Sequence, residues 1–397
     1  MTPARRNLAF LLVVLASLVG FAGTDLVLPA IPTLATALGA TAAQGQHVLA
    51  SFTLGFAAGL LLFGELGARF SQRALLAGSL VLFSLASFAA GAAESIGALI
   101  ALRLVQGLTA AAGAAFAPGI IRTVFRPDRA LRAIGLQGSI ESLVPALAPM
   151  VGAWILSLSS WRGSFIVLGV LALAVGVAML ALPRDAFPPP GSAAGGSYLR
   201  LLANREVQRH GWGQALSLGG LLVFVFGAPA VLVGVWGGTL ADFIRMQVLG
   251  VACFIAAVQF SGPACRRYGE ETVVRAGSAL SAAGCVGLLL YALMDGRSPL
   301  VVALWSVPIN LGFGLRGPPG FLRAIVGAGG DDSRAAALVV LAILLTAAGG
   351  TLLVAPWIHL GLVPLALVAA LLSCGSLAVL LVRRHGDCRA GAWQAPP

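Results

Sequence analysis

Residues 75–93 read LLAGSLVLFSLASFAAGAA, and residues 362–382 read LVPLALVAALLSCGSLAVLLV, runs of 19 and 21 residues without a charge. At 1.5 Å rise per helical residue, such runs match a hydrocarbon core about 30 Å thick. Working outward from them, the same apolar character recurs along the chain. The expected spans are 8–31, 47–67, 74–93, 97–120, 132–157, 163–182, 211–233, 247–263, 272–294, 299–322, 335–356 and 361–382. Composition agrees, with 59% hydrophobic and only 10% charged residues, against about 25% charged in an average soluble domain. The 51 glycines suit helices that approach closely within a bilayer. The fold class expected is an all-α polytopic membrane protein with 12 transmembrane helices.

The net charge of +11 raises a nucleic-acid reading, which the distribution of the basic residues excludes. All 25 are arginines, and they form no basic stripe on a soluble face. Sorted by the sides of the twelve spans, Arg5, Arg6, Arg69, Arg73, Arg122, Arg126, Arg129, Arg132, Arg184, Arg200, Arg205, Arg209, Arg266, Arg267, Arg275, Arg323, Arg334, Arg383, Arg384 and Arg389 share the side of the N-terminus. Only Arg162, Arg245 and Arg297 lie opposite, while Arg103 and Arg316 fall within spans. The positive-inside rule then predicts both termini in the cytoplasm. Met1 to Gly23 resembles a secretory leader, but its apolar run continues to Ile31, which reads as a retained first span. Cys253, Cys265, Cys285, Cys374 and Cys388 have no metal-like spacing and read as packing residues.

The least apolar stretch, Pro183 to His210, lies near the middle, with Pro188, Pro189 and Pro190 followed by Gly191. It reads as a cytoplasmic linker. The domains expected are a six-helix bundle over 1–182, the linker over 183–210, a second six-helix bundle over 211–382, and a cytoplasmic tail over 383–397. The halves repeat weakly. Gly64-Glu65-Leu66-Gly67-Ala68-Arg69-Phe70 matches Gly262 to Tyr268 at an offset of 198, and Gly113 to Gly119 resembles Gly314 to Gly320 at an offset of 201. Duplicated six-span units are typical of secondary transporters, with the substrate site between the halves.

Four motifs resemble those of the major facilitator superfamily, in particular its twelve-span drug/proton antiporters of the Bcr/CflA type. Asp25-Leu26-Val27-Leu28-Pro29-Ala30-Ile31-Pro32 is similar to that group's D-x-Y-L-P-A-x-P signature, with Val27 in place of Tyr. Gly64 to Arg73 looks like the superfamily loop G-x-L-A-D-R-F-G-R-R, keeping Arg69 and Arg73, with Arg267 as its counterpart in the second half. Ala68 stands where that loop has the Asp that latches cytoplasmic helix ends. Leu99, Arg103, Gln106 and Gly107 resemble the buried-arginine motif, and Ala148-Pro149-Met150-Val151-Gly152-Ala153 is a softened exporter motif. The resemblance implies the two-bundle fold of that superfamily, alternating access and proton-coupled export, in a monomer of the inner membrane.

The embedded charges are the candidates for coupling, because an ionised side chain at the bilayer centre costs about 2.5–3.5 kcal/mol. Asp25 and Arg103 each lie roughly 9 Å below the outer surface on different helices, so they are expected to pair. Glu141 falls near the midplane with no arginine within a turn, which suits a proton carrier or a carboxylate for cationic cargo. Pro145 and Pro149 follow it and free backbone carbonyls. Gln106, Gln137, Gln214, Asn310 and Arg316 are further cavity candidates. Arg316 is expected to snorkel to the inner surface, and Glu65 reads as an ordinary solvated charge at a span end.

The function expected is a secondary active transporter that exports small drug-like, amphipathic or cationic molecules by proton antiport. A dedicated exporter of an endogenous metabolite such as a siderophore is the alternative cargo reading. The partners expected are the small-molecule substrate, protons and the lipid bilayer, with no nucleic acid, no metal, and no cofactor beyond the proton gradient. A polytopic membrane enzyme is disfavoured because no loop carries an acidic or histidine cluster. An importer or uniporter is disfavoured by the Pro149 motif.

Overall fold

The computed structural model describes residues 3–40, 42–188 and 196–382, nearly all of them helical. The expected tail over 383–397 lies outside the described residues, as does the middle of the linker. In the first half the helices are α1 (Pro3–Asp25), α2 (Ile31–Ala37), α3 (Ala42–Arg69), α4 (Gln72–Gly91), α5 (Ile96–Val124), α6 (Pro127–Glu141), α7 (Val144–Leu158) and α8 (Trp161–Leu180). A short α9 (Tyr198–Ala203) leads into the second half. There follow α10 (Arg205–Pro229), α11 (Leu240–Tyr268), α12 (Glu270–Leu293), α13 (Pro299–Val326), α14 (Asp332–Val354) and α15 (Leu362–Leu381).

Helix ends follow local chemistry. Ser95 accepts from the Ala98 amide to cap α5, and Asn204 accepts from the Glu206 and Val207 amides to cap α10. Thr239 and Asp242 form a reciprocal capping box on α11. Between α11 and α12 the chain turns at Gly269 with φ of +80°, a conformation that a side chain disfavours.

Eleven of the described helical segments are long and apolar enough to cross a bilayer. The expected fifth span, 132–157, is instead two helices, α6 and α7, separated at Ser142 and Leu143. The cause is in the sequence: Pro145 has no N–H to give the Glu141 carbonyl, and its ring crowds that carbonyl. Glu141 is therefore the last residue of α6 rather than a mid-helix residue.

The same packing occurs twice. In the first half α3 packs on α5 and α4 on α8; in the second, α11 packs on α13 and α12 on α15. One buried core draws on first-half residues such as Phe83, Phe116 and Phe165, with Ala337 its single fully buried member from the second half. Another is built from Leu221 to Ala370. Large apolar side chains such as Leu54, Leu171, Val177, Leu352 and Leu371 point outward. A bilayer, not water, is the solvent for such a surface.

Close approach depends on glycine at particular crossings. A Cβ at Gly107 would overlap the backbone of Phe52 and Phe56 on α3, and one at Gly314 would lie 2.6 Å from the Phe254 oxygen on α11. Gly107→Val is therefore expected to push α5 off α3 and cost about 1–3 kcal/mol of stability. Gly78→Ala, where nothing lies within 4 Å, should leave the thermal unfolding midpoint of the purified protein unchanged.

Candidate functional site

Arg103 projects from α5 and is completely buried. Its Nη1 donates to the Gly23 carbonyl (2.9 Å) and to Gln106 Oε1 (3.2 Å), and its Nε donates to the Val48 carbonyl (3.2 Å). The guanidinium stacks 4.2 Å above the Phe52 ring, a favourable placement for a desolvated cation. Gln106 in turn donates to Ser87 Oγ at 2.7 Å, tying α5 to α4. The expected pair with Asp25 does not form: among the described residues, no hydrogen bond or ion pair involves Asp25. The reason is where α1 stops. Helix ends leave carbonyls without intrahelical donors, and these carry partial negative charge. Gly23 lies in that last turn, and its oxygen takes the arginine, leaving the half-buried Asp25 free.

Glu141 sits at the break between α6 and α7 and, among the described residues, forms no ion pair with an arginine. Gln137, one turn earlier and buried, donates to Glu141 Oε1 at 2.8 Å, and its Nε2 is 3.4 Å from Ser17 Oγ on α1. Two of the predicted cavity residues, Gln106 and Gln137, thus support the two charged candidates. Pro29 lies in the short 3-10 turn that follows α1. A Cβ at Gly152 would overlap the Leu26 carbonyl, so α7 rests directly on that turn. Pro149 lies within α7 and is partly buried.

In the second half the structure corrects the expectation for Arg316. It does not snorkel; it is wholly buried on α13, with Nη1 donating to the Gly213 carbonyl of α10 at 3.0 Å. Ser376 Oγ on α15 donates to the same carbonyl at 2.7 Å. Gln214 lies beside this site, also buried. Asn310 serves its own helix, donating to the Ser306 carbonyl at 2.9 Å while packing against Gly250. The carbonyl bond and the glycine crossings hold Arg316 inward, where a free chain would have reached for water.

At the arginine-rich end the two halves are joined by charges that sequence reasoning set aside. Arg334 at the start of α14, fully buried, donates to both carboxylate oxygens of Glu65 on α3 (2.6 and 3.1 Å) and to Asp331 (2.7 Å). Glu65 also pairs with Arg69, so it is a structural carboxylate rather than a solvated one. Arg122 on α5 pairs with Asp332 at 2.5 Å, and Gln72 donates to Ser333 Oγ at 2.8 Å. Ile121 and Ile134 pack with Leu322 and Val273 beside these bonds. Burial raises the Asp331 carboxyl above the ordinary aspartate range, against the pull of Arg334. The signal available in the sequence was Asp331, Asp332 and Arg334 facing a loop whose usual Asp is Ala68.

The other motif residues are structural. Gly64 lets Ser333, Ala337 and Tyr198 approach α3, and Tyr198 donates its hydroxyl to the Leu61 carbonyl at 2.6 Å. Arg73 donates to the Leu180 carbonyl at the end of α8, and Arg267 lies over the Tyr268 ring.

Arg334 is fully buried, so removing Glu65 takes away its only carboxylate partner from the first half among the described ion pairs and leaves it with Asp331 on its own side. Glu65→Gln and Arg334→Gln should each shift the protein toward forms open at this end. Spin labels at Phe70 and Arg266 should report a longer inter-half distance in both variants; an unchanged distribution would count against the latch.

Comparisons with known proteins agree with this geometry. The sequence profile described as Major Facilitator Superfamily matches residues 13–326. A bicyclomycin resistance protein homolog of Haemophilus influenzae is 25% identical over 73% of each chain. A chloramphenicol resistance protein of Pseudomonas aeruginosa is 26% identical over 73% of this chain and 70% of its own. Among solved structures, the proton:xylose symporter XylE superposes with a TM-score of 0.73 at 14% identity, covering 96% of this chain and 95% of that one. The transporter FucP in its outward conformation gives 0.73 at 15% identity, covering 94% and 97%; at these identities the likeness is one of fold. A profile match over most of the chain, with twice-repeated helix packing and a lipid-facing apolar surface, makes this multi-pass membrane protein a member of the Major Facilitator Superfamily, a transporter rather than an enzyme.

Proposed function

We propose that the chain is a proton-driven exporter of small amphipathic molecules, working as a monomer in the bacterial inner membrane with both termini in the cytoplasm. The observation that carries this reading is Glu141, a carboxylate among apolar helices whose hydrogen bonding runs through Gln137 and Ser17 rather than an arginine. Asp25 is a second carboxylate without a charged partner among the described residues. A carboxylate in that setting is costly to ionise, so it changes state when a proton or a cationic group arrives. The bicyclomycin and chloramphenicol resistance relatives support a drug-like cargo. The excess of arginines on one side supports the orientation.

In this reading the proton gradient supplies the energy, and no further cofactor takes part. The arginine-rich end, closed by Arg334, Glu65, Arg122 and Asp332, is the cytoplasmic gate. With that gate shut, Glu141 and Asp25 take protons from outside. Loss of those protons inward accompanies cargo loading, so proton and cargo compete for the same groups. The break at Ser142 and Leu143 lets α6 and α7 tilt separately, which links the protonation of Glu141 to the gate that α6 helps to line.

The test is drug uptake into everted membrane vesicles energised by a pH gradient. Glu141→Gln and Asp25→Asn should each lower gradient-driven uptake at least about tenfold, equivalent to about 1.4 kcal/mol. Wild-type uptake rates in both variants would remove the carboxylates from the coupling mechanism.

A further inference from the structure

Arg316 has more hydrogen-bonding capacity than the protein fills. Its Nη1 is engaged by the Gly213 carbonyl, while Nε and Nη2 are buried without a partner among the described residues. Those two groups form one edge of the planar guanidinium, the fork that binds carboxylates in bidentate fashion. Across from them, Gln214 is 95% buried (5% exposed), and its Oε1 is also without a partner.

Two glycines lie close against this edge. A Cβ at Gly320 would lie 3.0 Å from Arg316 Nη2 and 3.4 Å from Gln214 Oε1, and a Cβ at Gly213 would lie 3.4 Å from Nη2. Any other residue at Gly320 would press into the space between the guanidinium and the amide oxygen.

The carboxylates at the starts of α10 and α12 are already committed. Glu271 is held by Arg209, Arg275 and Arg323, and Glu206 lies against His210 and Arg323. Glu270 also faces Arg323, at 3.9 Å. Among the described residues, no carboxylate forms an ion pair with Arg316. A guanidinium stripped of water and lacking a countercharge is strongly disfavoured, because its desolvation is not offset. Arg103 also has one buried nitrogen, Nη2, without a hydrogen-bond partner among the described residues, but it spends Nε and Nη1 on carbonyls and on Gln106 and rests on an aromatic face.

We infer that the Nε–Nη2 edge of Arg316, facing Gln214 across Gly320, is a binding site for a small anionic group, either a carboxylate carried by the cargo or an inorganic anion. Gln214 Oε1 opposite the fork accepts a hydrogen bond from a donor on the same ligand, which favours a carboxylate borne on a molecule with an adjacent hydroxyl or amine. The anion compensates the guanidinium directly. As the cargo's own anion it deepens the exporter reading, and it rests on that reading for the identity of the ligand. The exported molecule then carries a carboxylate for the second half and a protonated or apolar part for Glu141.

The test is binding to the full-length protein in detergent, read by tryptophan-fluorescence thermal unfolding, which does not require transport. Sodium benzoate, sodium lactate and sodium chloride are titrated separately at constant ionic strength against sodium HEPES, a bulky sulfonate without a carboxylate. A saturable rise of several degrees in the unfolding midpoint is expected for lactate or benzoate. Arg316→Lys, which keeps the charge but loses the fork, should weaken that effect at least tenfold. Gly320→Ala, which fills the space, should abolish it with the fold retained, and this arm carries the test where Arg316→Lys does not fold. Arg245→Gln, at an exposed rim position (77% exposed), should bind as wild type. A response to chloride alone supports the anion site and overturns its assignment to cargo. The absence of any saturable anion effect in wild type, or its persistence in both site variants, overturns the site. Loss of transport in the Glu141 and Asp25 variants with anion binding intact separates this inference from the coupling mechanism.

Discussion

The structure turns on how a charge is held where water is absent. Both intramembrane arginines are held by backbone carbonyls rather than carboxylates. Arg103 takes those of Gly23 and Val48, and Arg316 takes that of Gly213. Carbonyl oxygens supply partial negative charge without a second desolvated ion, so each helix crossing is secured without the penalty of burying an ion pair. The arrangement requires the donating and accepting backbones to lie close. Glycines make that possible: Gly107 at the α3–α5 crossing, and Gly213 on α10 and Gly277 on α12 beside Arg316.

A consequence is that the acidic residues within the bundle are released from structural duty. Had Asp25 paired with Arg103, it would have been a fixed countercharge. Because the end of α1 supplies the carbonyl instead, Asp25, like Glu141, forms no ion pair with an arginine among the described residues. The break at Ser142 belongs to the same economy. Pro145 ends α6 at Glu141, so the carboxylate stands at a joint between two rigid pieces.

Ion pairs are concentrated at the arginine-rich end, some partly exposed and some buried. Glu65, Arg69, Asp331, Arg334, Arg122 and Asp332 cross-link the halves at the arginine-rich end. The alanine at position 68 does not leave that end unlatched, because Glu65, three residues earlier and on the same helix face, reaches the buried Arg334.

By itself the sequence determined the bilayer as solvent, the number of apolar segments, the internal repeat and the positions of the unusual residues. Those properties are local or compositional: hydrophobic run length, arginine placement, proline and glycine spacing. Even the break in the fifth segment was present in Pro145 and its effect on the Glu141 carbonyl. Only the tertiary structure decided who meets whom. Depth along a helix put Asp25 and Arg103 at one level, but rotation about the helix axes and the end of α1 brought a carbonyl to the guanidinium first. Arg316 looked able to reach water by its distance from a helix end, yet packing against Gly213 and α15 turned it inward. Partner choice between helices is set by azimuth and crossing geometry, which a one-dimensional pattern does not carry.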